Sequence, residues 1–152
     1  MRRWYRPRAR MSFVAATECK LPVPQETAFD RLADHASWRS WMPRSFRPVG
    51  SSGGVLREGD RLRVRIAGSP VATPIVVRVV RRPHEIMWSG GVPGVLYAEH
   101  HFFFESEDGG VRVRSVENWS GALTLVARRV VLPKAQIIGG EQLTGLARAL
   151  AS

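Results

Sequence analysis

The sequence predicts an α+β domain in which an antiparallel sheet packs against one long C-terminal helix. Two observations support this: apolar and polar residues alternate in several short segments before residue 120, and residues 122–151 carry helical spacing instead. Alternation with a period of two is typical of half-buried strands, whereas spacings of three and four are typical of helices. The chain has 152 residues, a length that fits one domain.

The first part of the chain predicts a strand followed by two helices. Residues 12–20 alternate and are rich in Val, Phe and Thr, which predicts the strand. A helix then begins at Pro24, with an acidic residue in its first turn. Its expected buried stripe consists of Ala28, Phe29, Leu32 and Ala33. Asp34 is a candidate cap for a short second helix over residues 35–42, which Pro43 ends.

The central part of the chain predicts short strands separated by glycine- and proline-containing turns. The strands are expected at residues 44–49, 59–67, 71–81 and 85–89, with loops at 50–54 and 90–94. The second of these strands alternates strictly, so its apolar residues should face the interior while Arg61, Arg63 and Arg65 face solvent. Pro74 lacks a backbone N–H and therefore predicts an edge or a bulge near the start of the third.

A hairpin is predicted where Asp108-Gly109 separates two alternating segments, residues 96–106 and 111–120. Counting outward from this turn places His100 opposite Glu117. The opposite parity carries charged residues and should form the solvent face: Glu99, Glu105, Arg112 and Arg114. His100 and Glu117 are therefore expected on the apolar face, with their Cβ atoms about 4.5–5.5 Å apart.

The last predicted element is a helix over residues 122–151. Pro133 lacks an N–H and should kink or split this helix. Gly139 and Gly140 should weaken it by about 1 kcal/mol each relative to Ala. The apolar residues expected to pack against the sheet are Ile137, Leu146 and Leu150.

Two clusters of aromatic and ionisable residues, in this order of elements, resemble the SRPBCC (START-like) superfamily of polyketide cyclase/dehydrase-type proteins. One cluster is Asp-His-Ala-Ser-Trp-Arg-Ser-Trp-Met-Pro at residues 34–43, and the other runs from Trp88 through residues 99–104 to residues 116–121. The resemblance covers residues 12–150. It implies the helix-grip fold, in which a six- or seven-stranded curved antiparallel sheet wraps around the long C-terminal helix. Two short helices follow the first strand, and a cavity lies between sheet and helix.

The implied cavity makes His100 and Glu117 the candidate catalytic residues. A buried ionisable pair costs free energy unless it is partnered or useful, and three roles remain open. The pair could anchor a ligand, act as acid and base, or only close the sheet. Ser115 lies diagonal to His100, but a mid-strand serine lacks the exposed elbow and oxyanion donors of a hydrolase. The candidate ligand-binding residues are mostly aromatic: Trp41, Trp88, Phe102, Phe104, Ser115, Trp119 and Ile137.

The resemblance implies a protein that binds or carries a small hydrophobic ligand in this cavity, such as a lipid, a polyketide, a quinone or another aromatic or isoprenoid molecule. The alternative is a polyketide cyclase/aromatase- or dehydratase-like enzyme that uses the same cavity. No cofactor and no metal are expected, because His100 and His101 point to opposite faces of a strand and no Cys/His/Asp cluster occurs elsewhere.

The formal net charge of +10 raises the question of nucleic-acid binding. Five arginines lie in the first ten residues, and others alternate along strands, as at residues 61, 63 and 65 and at 112 and 114, so a nucleic-acid partner is not expected. We expect residues 1–11 to be a basic, disordered tail and residues 12–152 to be a single ligand-binding domain. One cysteine, no signal segment and no apolar run of about 20 residues predict a cytoplasmic protein without a membrane span. A homodimer remains open.

Overall fold

The computed structural model describes residues 12–50, 53–67 and 69–151, so the basic tail predicted at residues 1–11 lies outside the described residues. The elements are, in chain order, β1 Ser12–Leu21, α1 Gln25–Ala33, a 3-10 helix His35–Ser37, α2 Trp38–Trp41, β2 Phe46–Pro48, β3 Arg61–Ile66, β4 Thr73–Arg81, β5 Glu85–Val92, β6 Leu96–Glu107, β7 Gly110–Ser120 and α3 Thr124–Ala151. The predicted α+β class and the order of its elements are confirmed.

The seven strands form one antiparallel, curled sheet in the order β1-β7-β6-β5-β4-β3-β2. The first strand pairs with the last, over the full length from Ser12 opposite Ser120 to Leu21 opposite Val111. Helix α3, which follows β7, packs against β1 and β7. The helix-grip arrangement is therefore confirmed.

The core lies between the inner face of the sheet and the helices. The largest fully buried apolar side chains include Phe29, Leu32, Trp38, Ile86, Phe102 and Leu146. The stripe predicted for α1 is buried throughout, from Ala28 to Ala33. Each large apolar side chain buried in this way contributes about 1.5–3 kcal/mol to folding.

The β6–β7 register is the one predicted from the Asp108-Gly109 turn. Glu107 pairs with Gly110 and His100 pairs with Glu117. The alternation in β3 is also confirmed, because its three arginines are exposed and Val64 between them is fully buried.

The predicted loop at residues 90–94 is wrong at its start, because β5 continues to Val92. Gly90 and Gly91 pair with Ala98 and Tyr97 of β6. Gly91 has φ of +91°, and a Cβ there would lie 2.2 Å from the carbonyl oxygen of Leu96. Glycine is required at this position because the neighbouring backbone comes so close.

Pro133 lies inside α3 without ending it, so a split of this helix at Pro133 is not observed. The expectation for Ile137 is wrong, because its side chain is 60% exposed, whereas Leu146 is 1% exposed. Leu150 is partly buried against the core. Between Thr124 and Ala135 no residue of α3 is buried, so the first half of the helix packs less closely than the second. None of the helices in the described ranges has the length and hydropathy of a membrane-crossing segment.

Candidate functional site

The imidazole of His100 lies in the middle of the sheet, enclosed by aromatic rings. His100 pairs with Trp88 of β5 on one side and with Glu117 of β7 on the other. The Trp88 ring meets the imidazole edge-on with centroids 5.2 Å apart, and Phe102 stacks on it at 4.3 Å. Only 3% of the residue is exposed, so its polar atoms depend on protein partners.

A chain of polar contacts extends from His100 along β7. His100 Nε2 lies 2.7 Å from Ser115 Oγ, within hydrogen-bond distance. On its other side His100 Nδ1 lies 3.1 Å from Glu117 Oε1, although the angles there do not meet hydrogen-bond geometry. The indole Nε1 of Trp119 donates to Glu117 Oε2 at 3.1 Å. The polar chain thus consists of the buried His100 imidazole and three side chains on one face of β7, those of Ser115, Glu117 and Trp119.

Burial shifts both ionisable groups of this chain towards their neutral forms. Desolvation, with a smaller effect of nearby His101, lowers the pKa of His100 to about 3. Desolvation also raises the pKa of Glu117 to about 7, against the opposing effect of the Trp119 hydrogen bond. Near pH 6 both groups are therefore expected to be neutral, although His100 Nδ1 and Glu117 Oε1 lie close together. Neither charge is stabilised enough to compensate for its desolvation.

Helix α3 closes over this chain at Gly139. A Cβ at Gly139 would lie 3.1 Å from Ser115 Oγ and 3.3 Å from Thr17 Oγ1. Thr17 pairs with Ser115 across β1 and β7, and its buried hydroxyl has no hydrogen-bond partner among the described residues. One turn along α3, Gln142 is 1% exposed, and both polar atoms of its amide also lack a partner there.

The surroundings of Ser115 argue against a hydrolase active site. The order Ser115–His100–Glu117 is that of a catalytic triad, but Ser115 is 2% exposed and lies directly beneath Gly139. A nucleophilic serine also needs nearby oxyanion donors, and a serine in the middle of a strand lacks them, because β7 is paired on both sides at Ser115. The arrangement can instead exchange hydrogen bonds with a polar group placed between β7 and α3.

The structure brings only some of the predicted ligand-binding residues together. Trp88, Phe102, Ser115 and Trp119 adjoin the His100–Glu117 pair. Phe104 lies farther along β6 and packs edge-on against Phe29 of α1 at 5.3 Å. Their role in ligand binding stays a prediction.

Trp41 and Ile137 lie elsewhere, on an open groove between α2 and α3. Its volume is about 540 Å³, and its lining consists of Trp41, Pro43, Ile137, Gly140, Glu141, Thr144, Gly145 and Arg148. A second cavity of about 220 Å³ is lined by His35, Gly53, Gly54, Val55, Asp60, Arg61 and Leu62. Neither is lined by the His100–Glu117 pair, so the predicted site residues divide between a buried layer and a surface groove.

His101 points to the outer face, as the strand alternation predicts. Its Nδ1 lies 2.9 Å from Glu85 Oε1, and Glu85 also pairs with Arg81. The two adjacent histidines therefore cannot share a metal ion. Within the described ranges, no group of three or more metal-binding side chains occurs.

Sequence reasoning missed Thr17 and Gln142, the two polar residues that border Ser115 and Gly139. Thr17 could have been found by extending the strand alternation of β7 to its partner β1. Gln142 follows Gly139 by three residues, a spacing that places both on one helix face. That face could be identified only after the helix had been placed on the sheet.

A model of the family described as polyketide cyclase / dehydrase and lipid transport matches residues 13–151. No curated protein matches the sequence. Among solved structures, DynU16, a protein in the dynemicin biosynthetic locus, is 14% identical with a TM-score of 0.69. That match covers 91% of this chain and 47% of DynU16, so the chain spans less than half the length of DynU16.

Two further structures match over nearly their whole length. TTHA0849 from Thermus thermophilus is 16% identical with a TM-score of 0.67, over 92% of this chain and 100% of its own. Ara h 8.0201 is 16% identical with a TM-score of 0.61, over 93% of this chain and 99% of its own. At such identities the likeness shows the fold alone.

Proposed function

We propose that this chain, which belongs to the polyketide cyclase / dehydrase and lipid transport family, binds a small hydrophobic molecule that carries a polar oxygen. The observation that carries the proposal is the buried His100–Ser115 hydrogen bond on an otherwise aromatic face of the sheet. Burying such polar groups costs free energy, which a ligand-binding role would explain. Apolar pockets use a few polar groups of this kind to orient their ligands.

Each group of the chain has a distinct part in this proposal. Glu117, whose pKa is raised to about 7, carries a proton below that pH and can donate it to a ligand oxygen. Thr17 and Gln142 offer unpartnered hydrogen-bonding atoms in the same layer between sheet and helix. Trp88, Phe102 and Trp119 supply the apolar walls.

Ligand binding in this layer requires α3 to move away from β1 and β7. The contact at Gly139 leaves no room for even one additional carbon atom without displacing the Ser115 and Thr17 hydroxyls. The first half of α3 has no buried residue between Thr124 and Ala135, so displacing it would break few close contacts. We therefore place the route for the ligand beneath this half of the helix.

One observation favours a second candidate function, a cyclase- or dehydratase-like enzyme. A carboxylic acid with a pKa near 7 has the value that suits a general acid at neutral pH. His100 beside it stays neutral, because burial lowers its pKa to about 3, so its part would be to position the carboxyl group. In this case Glu117 would donate a proton to a carbonyl or hydroxyl oxygen of the bound chain, and a polyketide-like substrate fits the family description.

The first test is native mass spectrometry of the freshly purified protein, followed by displacement of an apolar fluorescent dye. We expect His100→Ala to weaken ligand binding at least tenfold, because the hydrogen bond to Ser115 and the stacking on Phe102 are both lost. His101→Ala is the matched control, since it removes a neighbouring imidazole on the outer face that contacts Glu85. It should lower stability without changing dye displacement.

Three outcomes separate the candidates. Equal weakening by both histidine variants would contradict a ligand role for His100. A co-purified ligand whose mass is unchanged on prolonged incubation supports a binder or carrier. A mass change that Glu117→Gln abolishes without abolishing binding supports the enzyme.

A further inference from the structure

Apolar side chains crowd the outer surface at one end of the molecule. Six of the nine large hydrophobic side chains that are exposed in the described part of the chain belong to the β5–β6 turn and the start of α3. They are Val92, Val95, Leu123, Leu125, Val126 and Val130, and we call them the apolar tip. The Leu123 N–H donates to the Val95 carbonyl oxygen at 2.9 Å, so the turn adjoins the start of the helix.

The charged residues of α3 nearest to the apolar tip in the sequence are all positive. Arg128 and Arg129 lie in the same part of α3, Lys134 follows one turn later, and all three are exposed. The sequence from Asn118 to Gly140 contains no acidic residue. The tip therefore combines exposed apolar side chains with a local positive charge.

We propose that the apolar tip docks on the surface of an anionic phospholipid bilayer. Val126 and Leu125 are 76% and 67% exposed, an unfavourable arrangement in water that burial among acyl chains relieves. The neighbouring cations lie at the depth of the headgroups, where each strengthens attachment to an anionic surface by about fivefold, corresponding to about 1 kcal/mol. The docking surface is separate from the buried layer at His100, and its test does not depend on the ligand bound there.

The charges favour a bilayer over a second copy of the chain. A two-fold dimer through the tip would bring the same patch of each protomer together. Arg128, Arg129 and Lys134 of the two copies would then lie near each other and repel. Lipid phosphates and carboxylates complement these cations instead.

The test is flotation of the full-length protein with vesicles of phosphatidylcholine and phosphatidylserine, compared with vesicles of phosphatidylcholine alone. We expect binding to the anionic vesicles and at least tenfold less to the neutral ones. The double variant Leu125→Asn/Val126→Asn should lower the partition coefficient at least tenfold. Its matched control is Val55→Asn/Val71→Asn, which changes two valines that are 61% and 66% exposed elsewhere.

A second pair of variants tests the charges. Arg128→Gln/Arg129→Gln/Lys134→Gln should lower binding at least tenfold, whereas Arg61→Gln/Arg63→Gln/Arg65→Gln removes the same charge from exposed positions of β3 and should change it less than threefold. Equal losses for both triple variants would show unspecific attraction and overturn the proposal. A concentration-dependent dimer that only the tip variants abolish, with no flotation, would assign the tip to a homodimer and also overturn it.

Discussion

Burial affects the protonation of His100 and Glu117 more than their contact with each other does. His100 and Glu117 lie 3.1 Å apart, a distance typical of an ion pair, yet desolvation moves the pKa of each towards the neutral form. The stability effects of the two groups have opposite signs. For Glu117 the raised pKa adds stability at low pH, and for His100 the lowered pKa adds stability at high pH.

Glu117→Gln should become more stable than the wild type as the pH rises from 4.5 to about 7. Folding raises the pKa of Glu117 from 4.5 to about 7, so the wild type loses stability as the pH rises through this range. The neutral amide of the variant does not titrate and loses none for this reason. The difference in free energy of unfolding should grow to about 3 kcal/mol at most. Urea unfolding of both proteins at several pH values measures it, and Glu105→Gln on the exposed outer side of β6 is the control.

The same variant isolates the effect of His100. Its pKa is lowered from 6.5 to about 3, so the stability of Glu117→Gln should fall as the pH decreases below 6.5. The wild type should be less sensitive between pH 4.5 and 6.5, because there the proton held by folded Glu117 matches the one taken up by unfolded His100. Parallel profiles for wild type and variant would contradict this account of the pair.

At the scale of elements, α3 carries two adjacent glycines that meet different surroundings. A Cβ at Gly139 would press on the Ser115 and Thr17 hydroxyls, whereas a Cβ at Gly140 would have no atom within 4 Å. Gly139 therefore sets how closely the helix approaches β1 and β7. Gly140 faces the groove that Trp41 and Ile137 line.

Gly140→Ala should raise the free energy of unfolding by about 1 kcal/mol, since alanine restricts the unfolded chain and nothing obstructs its methyl group. Gly139→Ala should gain the same propensity but lose about 1–3 kcal/mol through overpacking. Urea denaturation of both variants measures the difference. Equal gains would mean that α3 is not held against the strands at Gly139.

At the scale of the whole molecule, much of the positive charge belongs to a segment outside the described residues. The five arginines in residues 1–10 supply half of the net charge of +10. Each strand and helix described above belongs to residues 12–151. We therefore expect that the net charge can be changed at residues 1–10 without loss of the fold.

Deletion of residues 1–10 should leave the melting temperature within a couple of degrees of the full chain, because that segment lacks the apolar periodicity with which elements bury area. The net charge would fall from +10 to +5. Thermal unfolding followed by circular dichroism measures the effect. A large loss of stability would indicate that Trp4 and Tyr5 contact the domain.

Local signals in the sequence were sufficient for most of the fold. The Asp108-Gly109 turn determines the β6–β7 register, because only certain residues adopt its backbone conformation and every pair then follows by counting. The alternation of arginine and apolar residues in β3 determines its faces. The pairing of His100 with Glu117 was predictable for the same reason.

The sequence did not determine which face of α3 meets the sheet. Ile137 was expected to pack against the sheet and is exposed, as are the apolar residues Val126 and Val130 in the first half of the helix. The buried face contains small and polar residues, including Gly139 and Gln142, beside Leu143 and Leu146. Helical periodicity shows that apolar residues share one face of a helix. Which face becomes buried depends on where the helix crosses the sheet.

Local sequence patterns were enough to predict the set of strands, the order of elements and the pairing across the β6–β7 hairpin. Three features became apparent only from the packed structure: the shift of His100 and Glu117 towards their neutral forms, the close contact at Gly139 and the exposed apolar tip. Turns and strand alternation depend on a few neighbouring residues, so they can be recognised in the sequence. Burial and pKa shifts depend instead on groups brought together from distant parts of the chain.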